Sequence, residues 1–131
     1  MTTPALQGVK VLELGHFIAG PYCGKLLASH GADVVKIEIP GTGDSLRHQG
    51  PYANDDPNIE KSIPFLFLNT NKRGITLDVN MSSGRRIFEE LLAQTDILVE
   101  NLSPSQAESL DLNYRVLHKI NSSLVVTSIT P

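Results

Sequence analysis

At 131 residues, with 40% apolar side chains and 11 basic against 14 acidic groups, the chain has the length and composition of one globular domain able to bury a core. The weakly negative balance and the lack of any Lys/Arg stripe argue against nucleic acid or anionic lipid as a partner. No apolar run approaches the roughly 18 residues of a membrane span and residues 1–7 lack the pattern of a signal peptide, so a cytoplasmic protein is expected, while Cys23, the single cysteine, excludes an internal disulfide or a Cys-based zinc cluster.

In chain order, residues 9–15 and 33–39 are short, bounded and rich in β-branched side chains, and a helix of about three turns fits between them, the pattern of a βαβ unit. Pro21 suits the first position of that helix, where its missing N–H would lack a partner anyway. Tyr22, Leu26 and Leu27 mark the face expected on the sheet, and Gly31 the residue just past the end. Residues 40–62 dissolve into Gly, Pro, Asn and Asp, a loop long enough to expect function or mobility. Residues 63–69 are a brief apolar run that periodicity leaves open between helix and strand. Residues 75–79 alternate as a strand. Ile87, Phe88, Leu91 and Leu92 recur at helical spacing and predict a helix over 82–94, with Asn80, Ser82 or Ser83 as its cap. Residues 96–100 read as a buried strand. Ser103-Pro104-Ser105-Gln106 is a capping box opening a short helix. A further helix over 113–120 buries Val116, Leu117 and Ile120, and residues 124–129 form the last strand. The alternation predicts an α/β fold, a mostly parallel sheet flanked by helices, whose ligands bind beyond the carboxyl ends of the strands.

The first such place is the turn Gly15-His16-Phe17-Ile18-Ala19-Gly20-Pro21, which aims a helix N-terminus at the crevice, a setting suited to phosphate or carboxylate. Its spacing fits neither G-x-G-x-x-G nor a P-loop, which disfavours a generic dinucleotide site. His16 is a ligand contact or acid/base, or else a turn histidine bonded locally. Asn71-Lys72-Arg73-Gly74 could neutralise phosphate, or be an exposed basic turn. Asn101, after the fourth strand, is placed for binding, or bonds its own backbone. Cys23 near a helix N-terminus is a stabilised thiolate or a small core residue. Glu13, Glu38, Asp78 and Glu100, at strands or their ends, read as orienting or solvated carboxylates. No His-x₃-His metal site, Ser-His-Asp set or paired-carboxylate signature can be assembled, and no metal is expected.

The blocks V-L-E-L-G-H-F-I-A-G-P-Y-C-G, G-A-D-V-V-K-I-E, G-T-G-D-S-L-R, F-L-N-T-N-K-R-G-I-T-L-D, D-I-L-V-E-N and S-I-T-P, in this order, resemble the N-terminal part of the family III CoA-transferases, the group of formyl-CoA and carnitine-type enzymes, over residues 6–131. The resemblance implies a single Rossmann-like domain over residues 1–131, truncated relative to the family, which adds a small domain and interlocks as a homodimer. It implies coenzyme A as substrate, acyl-CoA and a carboxylic acid as partners, and an aspartate nucleophile that forms a mixed anhydride and then an aspartyl-CoA thioester. That aspartate is expected beyond Pro131, none of the seven here taking its place, so the chain alone is expected to be inactive. His16, Phe17, Ile18 and Ala19 correspond to the wall beside the CoA thiol. Ile39 falls where several members have an arginine beside the adenine, Leu77 to Asn80 correspond to the lining of the nucleotide part, and Asn101, Leu102 and Ser103 follow the fourth strand. With Ile39 for arginine, and with Pro104-Ser105 where a proline-glycine pair and a basic residue are common, phosphate contacts are expected to fall to Lys72 and Arg73 or to residues beyond the end. The competing readings are a Rossmann-like module for another nucleotide or phosphate ligand, and a non-catalytic folding fragment that pairs through an open sheet edge.

Overall fold

The computed structural model describes residues 2–130. Five short strands, β1 (Lys10–Leu14), β2 (Asp33–Glu38), β3 (Arg73–Thr76), β4 (Ile97–Glu100) and β5 (Val125–Ser128), form one sheet in the order β3-β2-β1-β4-β5. Every neighbouring pair is parallel. The helices between them are α1 (Ala19–Ser29), α2 (Ile63–Leu68), α3 (Ser82–Leu92), α4 (Pro104–Ser109) and α5 (Tyr114–Ile120).

Parallel strands need both faces covered, and the two-residue side-chain period divides this sheet accordingly. Leu12, Leu14, Ile37 and Leu98 pack with Phe88 and Leu92 of α3 and Leu117 of α5. On the opposite face Val11, Val34 and Val99 meet Ala28 of α1 and Ala32. The expected α/β class and parallel sheet are thus found. The chain moves outward from β1 to β3 and then returns to the other side of β1, so the topological switch point lies between β1 and β4.

Local chemistry accounts for the element ends. Gly31 sits at φ +98° just past α1. Its N–H reaches the Ala28 carbonyl at 3.0 Å and the Ala32 N–H reaches that of Leu27 at 3.1 Å, the paired bonds of a Schellman ending. The Ser103–Gln106 capping box is formed in both directions at the head of α4. Asn113 caps α5 through its side chain. The ambiguous run at 63–69 is a helix, capped by the Ser62 hydroxyl.

Four expectations are corrected. Pro21 is the third residue of α1, not the first, and is tolerated because the first intrahelical donor is the Tyr22 N–H, bonded to Ile18. The buried side of α1 is Gly20, Pro21, Gly24 and Ala28; of the three residues expected there, Leu27 does pack partly on the sheet, whereas Tyr22 and Leu26 are exposed. At Gly24 the buried Glu13 side chain leaves no room for a Cβ, which would lie 1.9 Å from its Oε2. Helix α3 starts after Met81 without a side-chain cap. Strand β3 begins at Arg73, so Arg73 lies within the strand and not in a turn before it.

The 40–62 segment is anchored, with single 3₁₀ turns at Ser45–His48 and Ala53–Asp55. The Ser62 hydroxyl, with one hydrogen to donate, lies 2.8 Å from the Leu46 carbonyl and 2.7 Å from that of Gln49, which share it. The Arg47 guanidinium lies 3.8 Å from the centre of the Phe65 ring.

Candidate functional site

A crevice of about 620 Å³ opens at the carboxyl ends of β1, β2 and β3. Its walls are the ends of three strands, the turn after β1, the 42–48 turn, residues 77–80 and one side of α4. Of the residues singled out in the sequence, His16, Ile39, Leu77 to Asn80 and Leu102 line it. Ile39 is 64% exposed at its mouth. Phe17, Ile18 and Ala19 continue the turn as exposed residues beyond the lining.

Asn101 and His16 meet. The Asn101 carboxamide accepts the His16 N–H at 2.8 Å and donates to the His16 carbonyl at 2.9 Å. The carboxamide thus bonds the backbone of a neighbouring turn, and not its own backbone. The same carboxamide explains the two glycines of the turn. A Cβ on Gly20 would lie 2.8 Å from Asn101 Oδ1, and one on Gly15 would lie 3.0 Å from it. Ser103 is occupied with capping α4.

Lys72 and Arg73 are not brought to the crevice. Lys72 lies beneath α1, where Nζ stands 2.7 Å from Glu13 Oε2 and donates to the Pro21 carbonyl at 2.8 Å and to Asn69 Oδ1 at 2.9 Å. Burial pushes its pKa down, with Glu13 pulling the other way. Arg73 pairs with Asp33 at the opposite, amino end of the strands. Among the described residues the crevice lining contains no lysine or arginine.

The sequence reading missed a buried charge cluster along one wall. Glu13, Lys36 and Asp44 are each at most 2% exposed. Lys36 Nζ donates to Glu13 Oε1 at 3.0 Å and to the Gly15 carbonyl at 2.7 Å, and stands 2.8 Å from Asp44 Oδ2. Asp44 Oδ1 accepts the N–H groups of Phe17 and Leu46, each at 2.9 Å. Burial would raise the Asp44 pKa, but the Lys36 charge, its hydrogen bond and the two backbone donors hold it below the ordinary carboxylate range. Glu38 behaves alike. Burial is outweighed by the Arg47 fork, at 2.7 and 2.9 Å, and by the Asp44 N–H at 2.8 Å, so its pKa is lowered. The available signal was a lysine inside Val34-Val35-Lys36-Ile37 and a glutamate inside Val11-Leu12-Glu13-Leu14, charges in strands expected to be buried.

Cys23 is partly buried, and burial followed by the Glu13 charge raises its thiol pKa, the opposite of an activated thiolate. Glu100 is buried and accepts the Leu102 N–H. Among the described residues no group of three or more His, Cys, Asp or Glu is placed to hold a metal ion, and no helix is long and apolar enough to cross a membrane.

Comparison with known proteins places this geometry in a context. The model of CoA-transferase family III matches residues 6–131. The chain is 42% identical over 127 residues to a formyl-CoA:oxalate CoA-transferase of Bradyrhizobium sp. (strain ORS 278), covering 97% of this chain and 29% of that protein. It is also 42% identical over 129 residues to the enzyme of the same description from Escherichia coli O139:H28, covering 98% and 30%. A CAIB/BAIF family protein from Brucella suis superposes with a TM-score of 0.86 at 35% identity, covering 98% of this chain and 34% of that one. The chain thus spans about 30% of the length of the curated relatives it matches.

Proposed function

The chain belongs to CoA-transferase family III, and from that premise we propose that it is the coenzyme A-binding N-terminal part of an enzyme that moves CoA between carboxylic acids. The observation that carries the reading is a crevice at the carboxyl ends of β1 to β3, walled by His16, Ile39, Leu77 and Leu102, in a chain that matches the family along nearly its whole length. In an open parallel sheet this rim is where a nucleotide-bearing ligand is expected. The Bradyrhizobium and Escherichia relatives, named for formyl-CoA and oxalate, favour a small acyl group and a short carboxylic acid as the exchanged partners.

The proposed chemistry is carboxylate covalent catalysis. An aspartate outside this chain attacks the acyl-CoA carbonyl and releases the CoA thiolate, leaving a mixed anhydride. The thiolate then attacks the aspartyl carbonyl, expelling the donor acid and forming the aspartyl thioester. The acceptor carboxylate reverses these two steps and leaves with CoA, restoring the aspartate. Residues 16–19 are assigned to the wall beside the thiol and residues 77–80 to the nucleotide part. Phosphate contacts are assigned to groups outside the crevice lining, because that lining offers no Lys or Arg. The chain by itself is proposed to bind without turnover, and the complete enzyme to work as a cytoplasmic homodimer.

Titration calorimetry with CoA, NAD and ATP tests the reading. Binding selective for CoA is the expected result. A preference for NAD or ATP would replace it with a module for another nucleotide, and silence toward all three would reduce the chain to a non-catalytic folding unit.

A further inference from the structure

Phe17 combines three features. Its backbone is left-handed, at φ +63°. Its side chain is 44% exposed beside the mouth of the crevice. Its N–H is nonetheless bound to a carboxylate, Asp44, that is 2% exposed. A bulky residue avoids the left-handed region, since its Cβ crowds the backbone there, and such strain persists only where the surroundings over-determine it.

The surroundings here are side chains and not secondary structure. Four successive polar groups of the turn backbone are held: the Gly15 carbonyl by Lys36 at 2.7 Å, the His16 N–H and carbonyl by Asn101, and the Phe17 N–H by Asp44 at 2.9 Å. Lys36 and Asp44 are themselves joined, 2.8 Å apart, and Glu13 secures Lys36 from the other side at 3.0 Å. A buried ion pair costs desolvation of both charges, and its best-attested use is to specify one arrangement over its alternatives. The arrangement specified here is the turn that carries His16 into the crevice.

We propose that Asp44, backed by Lys36 and Glu13, is a positioning residue that locks the Gly15–Phe17 turn in its left-handed form and so preorganises the wall on which the ligand binds. The proposal rests on the CoA-binding reading above and adds to it the group that sets the wall. Asp44 touches the turn backbone, and its influence on the ligand passes through Phe17 and His16.

A double-mutant cycle on CoA binding, read by calorimetry, tests it. Asparagine tolerates the left-handed region, so Phe17→Asn supplies by intrinsic preference what Asp44 supplies by hydrogen bonding. Asp44→Ala is expected to weaken CoA binding about 10-fold or more in the unaltered background and less than about 3-fold in the Phe17→Asn background. Equal losses in both backgrounds would overturn the proposal, because a general loosening of the 42–48 turn does not depend on residue 17. Amide hydrogen exchange in the unaltered chain provides a second reading if Asp44→Ala fails to fold. The Phe17 N–H is expected to be protected at least 100-fold, as a held donor is, and exchange at the rate of a free exposed amide refutes the lock. If the unaltered protein does not bind CoA, the functional reading fails while the exchange measurement still decides on the lock.

Discussion

Gly24 gives the most direct test of the buried cluster at the level of one residue. A Cβ there would lie 1.9 Å from Glu13 Oε2, the oxygen that Lys72 approaches at 2.7 Å. Gly24→Ala cannot be accommodated by a small shift, because the atom it strikes belongs to a fully buried ion pair. We expect a loss of roughly 3 kcal/mol in urea unfolding, the scale of breaking such a pair, although alanine is the better helix former by about 1 kcal/mol. A neutral or stabilising result would mean that Glu13 does not sit under α1. Asn101→Ala removes two hydrogen bonds to the His16 backbone and leaves that partly exposed turn held from one side only. The expected cost is about 2 kcal/mol, together with weaker CoA binding. Unchanged stability would place the carboxamide elsewhere. Asparagine 101 was legible in the sequence as a residue of interest, but its partner, 85 positions earlier, was not.

The helices divide by how their ends are determined. Helices α4 and α5 begin at residues whose own side chains supply the missing acceptor, so Ser103 and Asn113 can be read from the local sequence. Helix α3 offers Asn80, Ser82 and Ser83 and uses none of them, since it starts after Met81 where the Asp78 carbonyl accepts the Met81 N–H. A Cβ on Gly84 would come within 1.9 Å of that same carbonyl, so close backbone approach, and not a cap, sets the entry of α3. Ser103→Ala should destabilise the protein by about 1 kcal/mol, and added helix-end fraying in α4 should appear in amide exchange without change in α3. Helix α1 departs furthest from its pattern. Two of its apolar side chains, Tyr22 and Leu26, face outward, while Leu27 and Cys23 pack partly on the sheet beside Ala28, and Gly24 sits where a Cβ would strike Glu13.

For the molecule as a whole, the lowered pKa values of Glu38 and Asp44 make stability depend on pH. A carboxylate whose folded pKa lies below its unfolded value contributes stability that is complete above about pH 4 and declines as pH falls through that value toward the folded pKa. Denaturant midpoints should therefore hold from pH 7 to about 5 and drop below about 4. Asp44→Asn should lower the plateau by about 3 kcal/mol, since Lys36 loses one of its two carboxylates, and should also flatten the acid limb. An unaltered slope in that variant would show that Asp44 does not carry the effect. The alternation of apolar strands with helical periodicities was enough by itself to determine an α/β chain with a parallel sheet, because the periods of 2 and 3.6 are properties of a segment and need no partner. The Ser103–Gln106 capping box, the left-handed Gly31 and the family blocks were likewise local. Only the tertiary structure decided that Lys72 turns inward to Glu13, that Arg73 stands at the far end of the strands, and that Asp44 and Asn101 close on one turn. The reason is that a charge or an amide takes whichever partner the strand order delivers, and spacing along the chain carries no record of that meeting.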